Sequence, residues 1–434
     1  MLNLCSIELH EMKKAFLVLS LFLLAFTGAR ATYILIPMDE TQSNCLKAYG
    51  IAYMVIKDGI PVEWLLNYKG GSFVFQDAKQ FEDECKIRNV KYELMADGQE
   101  TALLQQIADP QVNMDAVKLE KAPRIAVYTP KDKLPWDDAV TLALTYAEIP
   151  YDIVYDKEIL EGNLPKYDWL HLHHEDFTGQ YGKFWGAYQA ASWYQEDVKI
   201  NEEAAHQMGF QKVSQMKLAV AKKIRDFVSG GGFLFAMCSA PDSYDIALAA
   251  DGIDICQTPF DGDPAEPDAT KKLNFGNCFA FTNFSLVMDP YQYDKSNIDV
   301  SHTRVQRYGI TELNDFFTLF DFSAKWDPVP TMLCQDNTRV IKGFYGQTTA
   351  FDERYIKTSV TILGENKAAG EAKYVHGDFG KGTWTFYGGH DPECYQHHVG
   401  DPPTDLSLHP NSPGYRLILN NVLFPAAKKK KRET

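Results

Sequence analysis

Between Arg124 and Met237 the chain alternates short apolar runs with amphipathic stretches, and this alternation restricts its fold more than any other feature. Arg124–Tyr128, Tyr151–Tyr155, Asp168–Leu172 and Phe233–Met237 read as strands. Trp136–Ala147 and Val213–Val228 repeat apolar residues at helical spacing. Gly230-Gly231-Gly232 stops the second helix. Alternating strands and helices of this kind imply a parallel sheet with helices on both faces, an α/β fold. The pattern weakens from about Cys256 to Tyr374, where Asp, Pro, Asn and aromatic residues dominate around strand-like pieces such as Phe279–Phe284 and Thr358–Leu363. We read 256–374 as a large insertion. The alternation resumes at Lys373–Phe379, Gly382–Tyr387 and the helix Gly414–Val422. Upstream, Tyr33–Pro37, Gln42–Lys57 and Val62–Tyr68 form a strand–helix–strand segment. This segment, 32–122, closes at Lys121-Ala122-Pro123 and precedes the main domain, 123–425.

The ends set the compartment. Lys13-Lys14, the apolar run Ala15–Phe26 and Thr27-Gly28-Ala29-Arg30-Ala31 form a basic, apolar, small-x-small series, which predicts a secretory signal cleaved after Ala31. Met12 is the natural start, with residues 1–11 an upstream extension. The apolar run is shorter than the roughly 20 residues a membrane span needs, and no other stretch approaches one. The mature chain is therefore expected to be periplasmic or secreted, without a membrane span. Its charge moves from −15 to −16 on cleavage, since residues 1–31 hold Lys13, Lys14 and Arg30 against Glu8 and Glu11. The basic tail within 426–434, Lys428–Arg432, leaves the body more acidic still, which excludes nucleic acid as a natural partner. Seven cysteines lie in the mature region, an odd number that leaves at least one thiol unpaired even where disulfides form.

Three predicted strands end in chemistry-bearing residues. Asp168–Leu172 runs into His173-His174-Glu175-Asp176, Phe233–Met237 into Cys238-Ser239, and Gly382–Tyr387 into Gly388-Gly389-His390-Asp391-Pro392-Glu393. Ligands of open parallel sheets sit outside the carboxyl ends of the strands, so these groups share one rim. Cys238 stands between a strand and the helix-prone Pro241–Ala250, a turn that exposes a nucleophile, with the N–H of Ser239 available to an oxyanion. His390 is the expected base for Cys238, with Asp391 or Glu393 orienting it. His173, His174, Glu175 and Asp176 are expected to shape the pocket. A metal alternative, a metal-dependent hydrolase built on the cluster His173–Asp176, uses His173, His174 and Glu175 as ligands, because imidazole with carboxylate is a common zinc or iron set. The thiol reading needs no cofactor; a divalent metal enters only with the alternative. His397-His398 and His409 sit in a Pro-rich loop and read as solvent-facing.

These motifs resemble the class I glutamine amidotransferase-like superfamily across Arg124–Asp254 and Lys373–Phe424. That family reads Gly-x-Cys-x-Gly at the elbow and His-Pro-Glu late in the chain. Here the elbow is Ala236-Met237-Cys238-Ser239-Ala240 and the late motif His390-Asp391-Pro392-Glu393. The resemblance implies a flavodoxin-like parallel sheet and a Cys-dependent hydrolase acting on an amide or ester. The whole chain also resembles exported bacterial proteins labelled asparagine synthetase B, through Pro37-Met38-Asp39, Trp64–Phe73 and His171–Gln180. Glutamine-hydrolysing synthetases use a Cys at the mature N-terminus and a Ser-Gly-Gly-x-Asp-Ser loop. Here the expected mature chain begins at Thr32, and Ser229-Gly230-Gly231-Gly232-Phe233-Leu234 lacks the Asp-Ser. Synthetase activity is therefore not expected. A non-catalytic alternative is a binding protein whose aromatic loops, Tyr181–Trp193 and Tyr291–Tyr293, grip a glycan or peptide; otherwise the ligand is a small molecule.

Overall fold

The structure, a computed structural model, describes residues 32–130, 138–300, 309, 311, 315–327, 330–334, 338–342, 350–394 and 402–427. The predicted signal, His397-His398 and the basic tail lie outside them. Helices of five residues or more are numbered here, and no helix among the described residues is long and apolar enough to cross a membrane.

The N-terminal segment folds as a five-stranded sheet in the order β4-β1-β3-β2-β5. Its strands are β1 (Tyr33–Ile36), β2 (Val62–Leu66), β3 (Ser72–Gln76), β4 (Glu93–Met95) and β5 (Asp115–Leu119), and every pairing is antiparallel. Helix α1 (Cys45–Lys57) starts where the Asn44 side chain accepts the Lys47 N–H, satisfying one of the amides a helix start leaves open. Helices α2 (Lys79–Ile87) and α3 (Asp97–Ala108) complete the segment. α1 is buried all round because it lies between this sheet and the larger one, in one apolar core with residues of both. The break near Pro123 thus separates two sheets but not two cores.

The second sheet runs β11-β10-β13-β14-β15-β9-β8-β6-β7. β6 (Ile125–Tyr128), β7 (Asp152–Val154), β8 (Trp169–Leu172), β9 (Phe233–Met237) and β15 (Gly382–Tyr387) pair in parallel. Alternate residues of these strands enter opposite cores, as a period of two demands. Val127, Trp169, Phe235 and Met237 pack with α4 (Ala139–Ala147) and α9 (Pro413–Leu423). Ala126, Leu170, Leu234 and Ala236 pack with α7 (Val213–Ser229) and α8 (Ala240–Ala249). α5 (Asp156–Leu160) follows β7, and α6 (Ser192–Gln207) precedes α7.

The sheet is mixed, which corrects the expectation of a wholly parallel one. β10 (Phe316–Leu319), β11 (Val340–Lys342), β12 (Phe351–Asp352), β13 (Thr361–Asn366) and β14 (Glu371–Phe379) extend it from β15 by antiparallel pairing, with β12 beside β14. These strands therefore widen the main sheet. Lys373–Phe379 belongs to β14 and forms a hairpin with β15, so it does not reopen the parallel pattern. Phe279–Phe284 forms no strand, only an isolated antiparallel bridge between Phe281 and Ile356. The buried Asp245 carboxylate accepts the N–H groups of Phe279 (2.7 Å), Ala280 (2.7 Å) and Phe281 (2.9 Å), doing for this backbone what a neighbouring strand would.

Candidate thiol and imidazole centre

β9 ends at Met237, and the chain turns through Cys238 into α8. Cys238 has φ +55, a left-handed conformation that costs a residue with a side chain on the order of 1–3 kcal/mol. Hydrogen bonds to two neighbouring strand ends hold this turn. The Cys238 N–H donates to Gly389 O (3.0 Å), the Ala240 N–H to His173 O (3.0 Å), and Ser239 Oγ to His174 O (3.0 Å). The bonds that fix the strained thiol thus also fix the segments carrying three histidines.

Those histidines surround the sulfur. Ring centroids lie 4.0 Å apart for His173 and His174 and 4.9 Å for His390 with either of them. His173 Nε2 is 3.0 Å from His390 Nδ1. The ligating atoms of His173, His174, Cys238 and His390 all lie within 4.8 Å of one another. Cys238 is 2 % exposed, His173 2 % and His390 4 %, so only His174, half-buried, meets solvent appreciably. Burial alone would push the Cys238 thiol up. Hydrogen bonds from His173, His174 and His390 outweigh it and hold the thiol well below its ordinary range, favouring thiolate beside imidazole.

A carboxylate backs this group. Asp138 caps α4 by accepting the Val140 N–H (2.7 Å) and the Thr141 N–H (3.1 Å). The same side chain lies 3.2 Å from His173 Nδ1 and 3.1 Å from His171 Nε2. Burial works against its charge, but His171 and His173 hold it well below the usual carboxylate range. His171, inside β8, places Nδ1 3.2 Å from Phe235 O. Burial pushes His171 toward its neutral form, and Asp138 opposes that.

Four of the residues singled out by sequence therefore meet: Cys238, His390, His173 and His174. Ser239 sits beside them through its bond to His174 O. The acids separate. Asp391 receives Tyr415 OH (3.0 Å), Thr404 Oγ1 (2.5 Å) and the Glu393 N–H (2.9 Å), tying the loop after His390 to α9. Glu393 pairs with His409 at 3.2 Å. Asp138, not Asp391 or Glu393, is the carboxylate set against the imidazoles. Glu175 lies beyond the turn with Tyr155 OH (3.2 Å) and Lys217 Nζ (3.9 Å), and Lys217 in turn pairs with Asp156 at 2.8 Å. Burial pushes Glu175 up, with Lys217 opposing. Asp176 accepts the N–H groups of Thr178 and Gly182, both at 2.8 Å, and so shapes its own loop. The group of metal-capable atoms thus replaces Glu175 by Cys238 and His390. Sequence reasoning passed over Asp138, although an Asp directly before an apolar helix carries the N-cap signature. The described cysteines Cys45, Cys85, Cys238, Cys256, Cys278, Cys334 and Cys394 are thiols with no disulfide among them.

No family model and no curated protein matches the chain. Among solved structures, it is similar to the cytoplasmic protein STM3548 from Salmonella typhimurium at TM-score 0.33 and 11 % identity, over 70 % of this chain and all of that one. A second cytoplasmic protein, STM1381 from Salmonella typhimurium LT2, gives 0.32 and 13 % over the same shares. A beta-galactosidase from Bacillus circulans sp. alkalophilus gives 0.24 and 10 %, over 71 % of this chain and 32 % of that one. Likenesses this distant assign neither fold nor activity.

Proposed function

We propose that this chain is an exported hydrolase of the class I glutamine amidotransferase-like type, using Cys238 as nucleophile on an amide or ester bond. The observation that carries the reading is the line Asp138, His173, Cys238. A buried carboxylate lies 3.2 Å from one nitrogen of an imidazole that has a ring nitrogen within 4.8 Å of the Cys238 sulfur. That is the arrangement in which an acid orients the base that activates a nucleophile. The left-handed elbow and the parallel order β7-β6-β8-β9-β15 support it. Numbered from β6, that order is 2-1-3-4-5, the order of flavodoxin-like sheets, whose ligands sit at the carboxyl ends around the switch point.

In the reaction, Cys238 Sγ attacks the acyl carbon and a C–S bond forms. The imidazolium gives its proton to the departing nitrogen or oxygen as that bond to carbon breaks. Water, losing a proton to the same imidazole, then cleaves the thioester and restores the thiol. His173 takes the base role the sequence gave to His390. His390, 3.0 Å away, can receive the proton onward.

The test uses metal-free full-length mature protein with a panel of p-nitrophenyl esters and anilides, read by turnover and intact mass. An acyl adduct on Cys238 that is absent from Cys238→Ser supports the reading; hydrolysis that persists in Cys238→Ala overturns it. A second reading, a binding protein for a glycan or peptide, is favoured by the meeting of the aromatic loops. Trp185 and Tyr291 rings lie 5.0 Å apart and Phe184 and Tyr293 5.8 Å, with Tyr291 69 % exposed. Fluorescence titration with oligosaccharides and peptides, lost in Tyr291→Ala, is its signature.

A further inference from the structure

We propose that His173, His174, Cys238 and His390 form a four-ligand N3S site for a borderline or soft divalent cation, with zinc as first choice. Bound there, the cation silences the thiol. A tetrahedral zinc holds sulfur at about 2.3 Å and imidazole nitrogen at about 2.0–2.1 Å, which sets neighbouring ligand atoms about 3.3–3.6 Å apart. Here all four ligand atoms already lie within 4.8 Å of one another, so side-chain adjustments of about an ångström close the set around an ion. His173 Nε2 and His390 Nδ1 face each other at 3.0 Å, a spacing that a shared proton bridges and that a cation can widen and occupy.

The donor chemistry selects the ion. Three imidazoles and a thiolate without a carboxylate suit zinc or copper, whereas calcium and magnesium require oxygen ligands. Glu175 and Asp176 are engaged by Tyr155 and by backbone amides. The surroundings are those of a metal histidine. Asp138 lies 3.2 Å from His173 Nδ1 while Nε2 faces His390 Nδ1 at 3.0 Å, the placement of a carboxylate behind a metal-binding histidine. The Gly389 and His173 carbonyls hold the elbow and its flanking segments in place before any ion arrives.

The silencing, though not the binding, rests on the hydrolase reading. A bound cation takes the Cys238 electron pair that attack on an acyl carbon requires, and it takes the imidazole nitrogens that would move the proton. Metal and acylation are therefore mutually exclusive at this centre.

The experiment adds one equivalent of cobalt(II) or zinc to chelator-treated full-length mature protein. Cobalt is expected to give a thiolate-to-metal charge-transfer band and tetrahedral visible bands at one ion per chain. Cys238→Ser should lose the charge-transfer band, and Asp138→Asn should weaken binding about 10–100-fold. Glu175→Gln should bind as wild type does. One equivalent of zinc should also shield Cys238 of the unmutated protein from slow alkylation, mapped by mass spectrometry. Absence of a stoichiometric ion, a cobalt spectrum unchanged in Cys238→Ser, or a loss of binding in Glu175→Gln overturns the site. Failure of the metal-free protein to acylate overturns the hydrolase alone, and stoichiometric metal with a thiolate band stands whatever happens to acylation.

Discussion

Asp138 joins two tasks in one side chain, and replacing it separates them. In Asp138→Ala, α4 loses its cap, worth about 0.5–2 kcal/mol. His171 and His173, both buried, lose a polar partner at 3.1–3.2 Å, which costs about 1–3 kcal/mol for each group left unsatisfied. The expected destabilisation is about 2.5–8 kcal/mol. Asp138→Asn differs, since asparagine caps helices as well as aspartate does. Oδ1 can still accept the Val140 and Thr141 N–H groups, while the amide nitrogen takes the place of Oδ2 and faces His171 Nε2 at 3.1 Å. His171 Nδ1 faces the Phe235 carbonyl, so a neutral ring carries its proton there and presents a lone pair at Nε2. The new N–H donates to that lone pair, and the expected cost stays below about 1.5 kcal/mol, that of one ordinary hydrogen bond. Urea unfolding of the two variants and the wild type at pH 7 measures both numbers. If asparagine costs as much as alanine, or if alanine costs less than about 1.5 kcal/mol, Asp138 is not the shared partner of the cap and both imidazoles.

Three further outcomes follow from buried groups elsewhere. Burial pushes His376 down to about 4, so between pH 6.5 and 4 the unfolded chain binds a proton that the folded chain refuses. Its stability is full above pH 6.5 and falls by about 3 kcal/mol toward pH 4; His376→Gln should flatten that slope in denaturant titrations, and an unchanged slope rejects the assignment. A Cβ at Gly50 would lie 1.8 Å from the Ala147 carbonyl oxygen, so Gly50→Ala should cost about 2–3 kcal/mol by forcing α1 from α4. A melting temperature equal to that of wild type would show that the helices do not touch there. Lys373 and Asp315 form an ion pair at 2.5 Å with neither side chain exposed. Lys373→Met should cost about 3–5 kcal/mol and Lys373→Met with Asp315→Leu much less, whereas equal losses would show that the charges do not depend on each other.

The residues visible in sequence were those whose meaning is local. A strand, a cysteine and a helix in succession announce an elbow, and histidines just past apolar runs announce a rim. Asp138 could not be read this way. Its role depends on β6 and β8 pairing in parallel with Tyr128 opposite Leu172, which brings the segment after β6 alongside His173. Proximity along the chain misled in the opposite sense at Asp391 and Glu393, because the turn after His390 directs them to Tyr415 and His409. Strand direction was equally hidden. The buried run of β14 looks the same whether its neighbour is parallel or antiparallel, and only the hairpin at Gly380, with φ +63, turns it back against β15. The segment after Cys278 reads as a strand because it is apolar, yet Asp245 satisfies three of its amides from a helix, and its pairing is confined to an isolated bridge between Phe281 and Ile356.

Access to the centre separates its two chemistries. An ion needs an opening little wider than a water molecule, and the half-buried His174 is the most exposed of the four ligand residues. An acyl group must bring a carbon against a sulfur that is 2 % exposed, so part of the wall has to move first. Of the bonds that pin the elbow, two are between backbone groups and one is not. Ser239 Oγ to His174 O is a side-chain bond to the most exposed of the three histidines, and a rotation of one hydroxyl releases it. Breaking it costs about 0.5–1.5 kcal/mol, within reach of thermal opening. Breaking either backbone bond would instead free the strained φ of Cys238 and let the nucleophile turn away. Opening for substrate should therefore begin at Ser239 and His174. Ser239→Ala would then speed alkylation of Cys238 while leaving the four cation ligands in place, and an alkylation rate equal to that of wild type would place the entrance elsewhere.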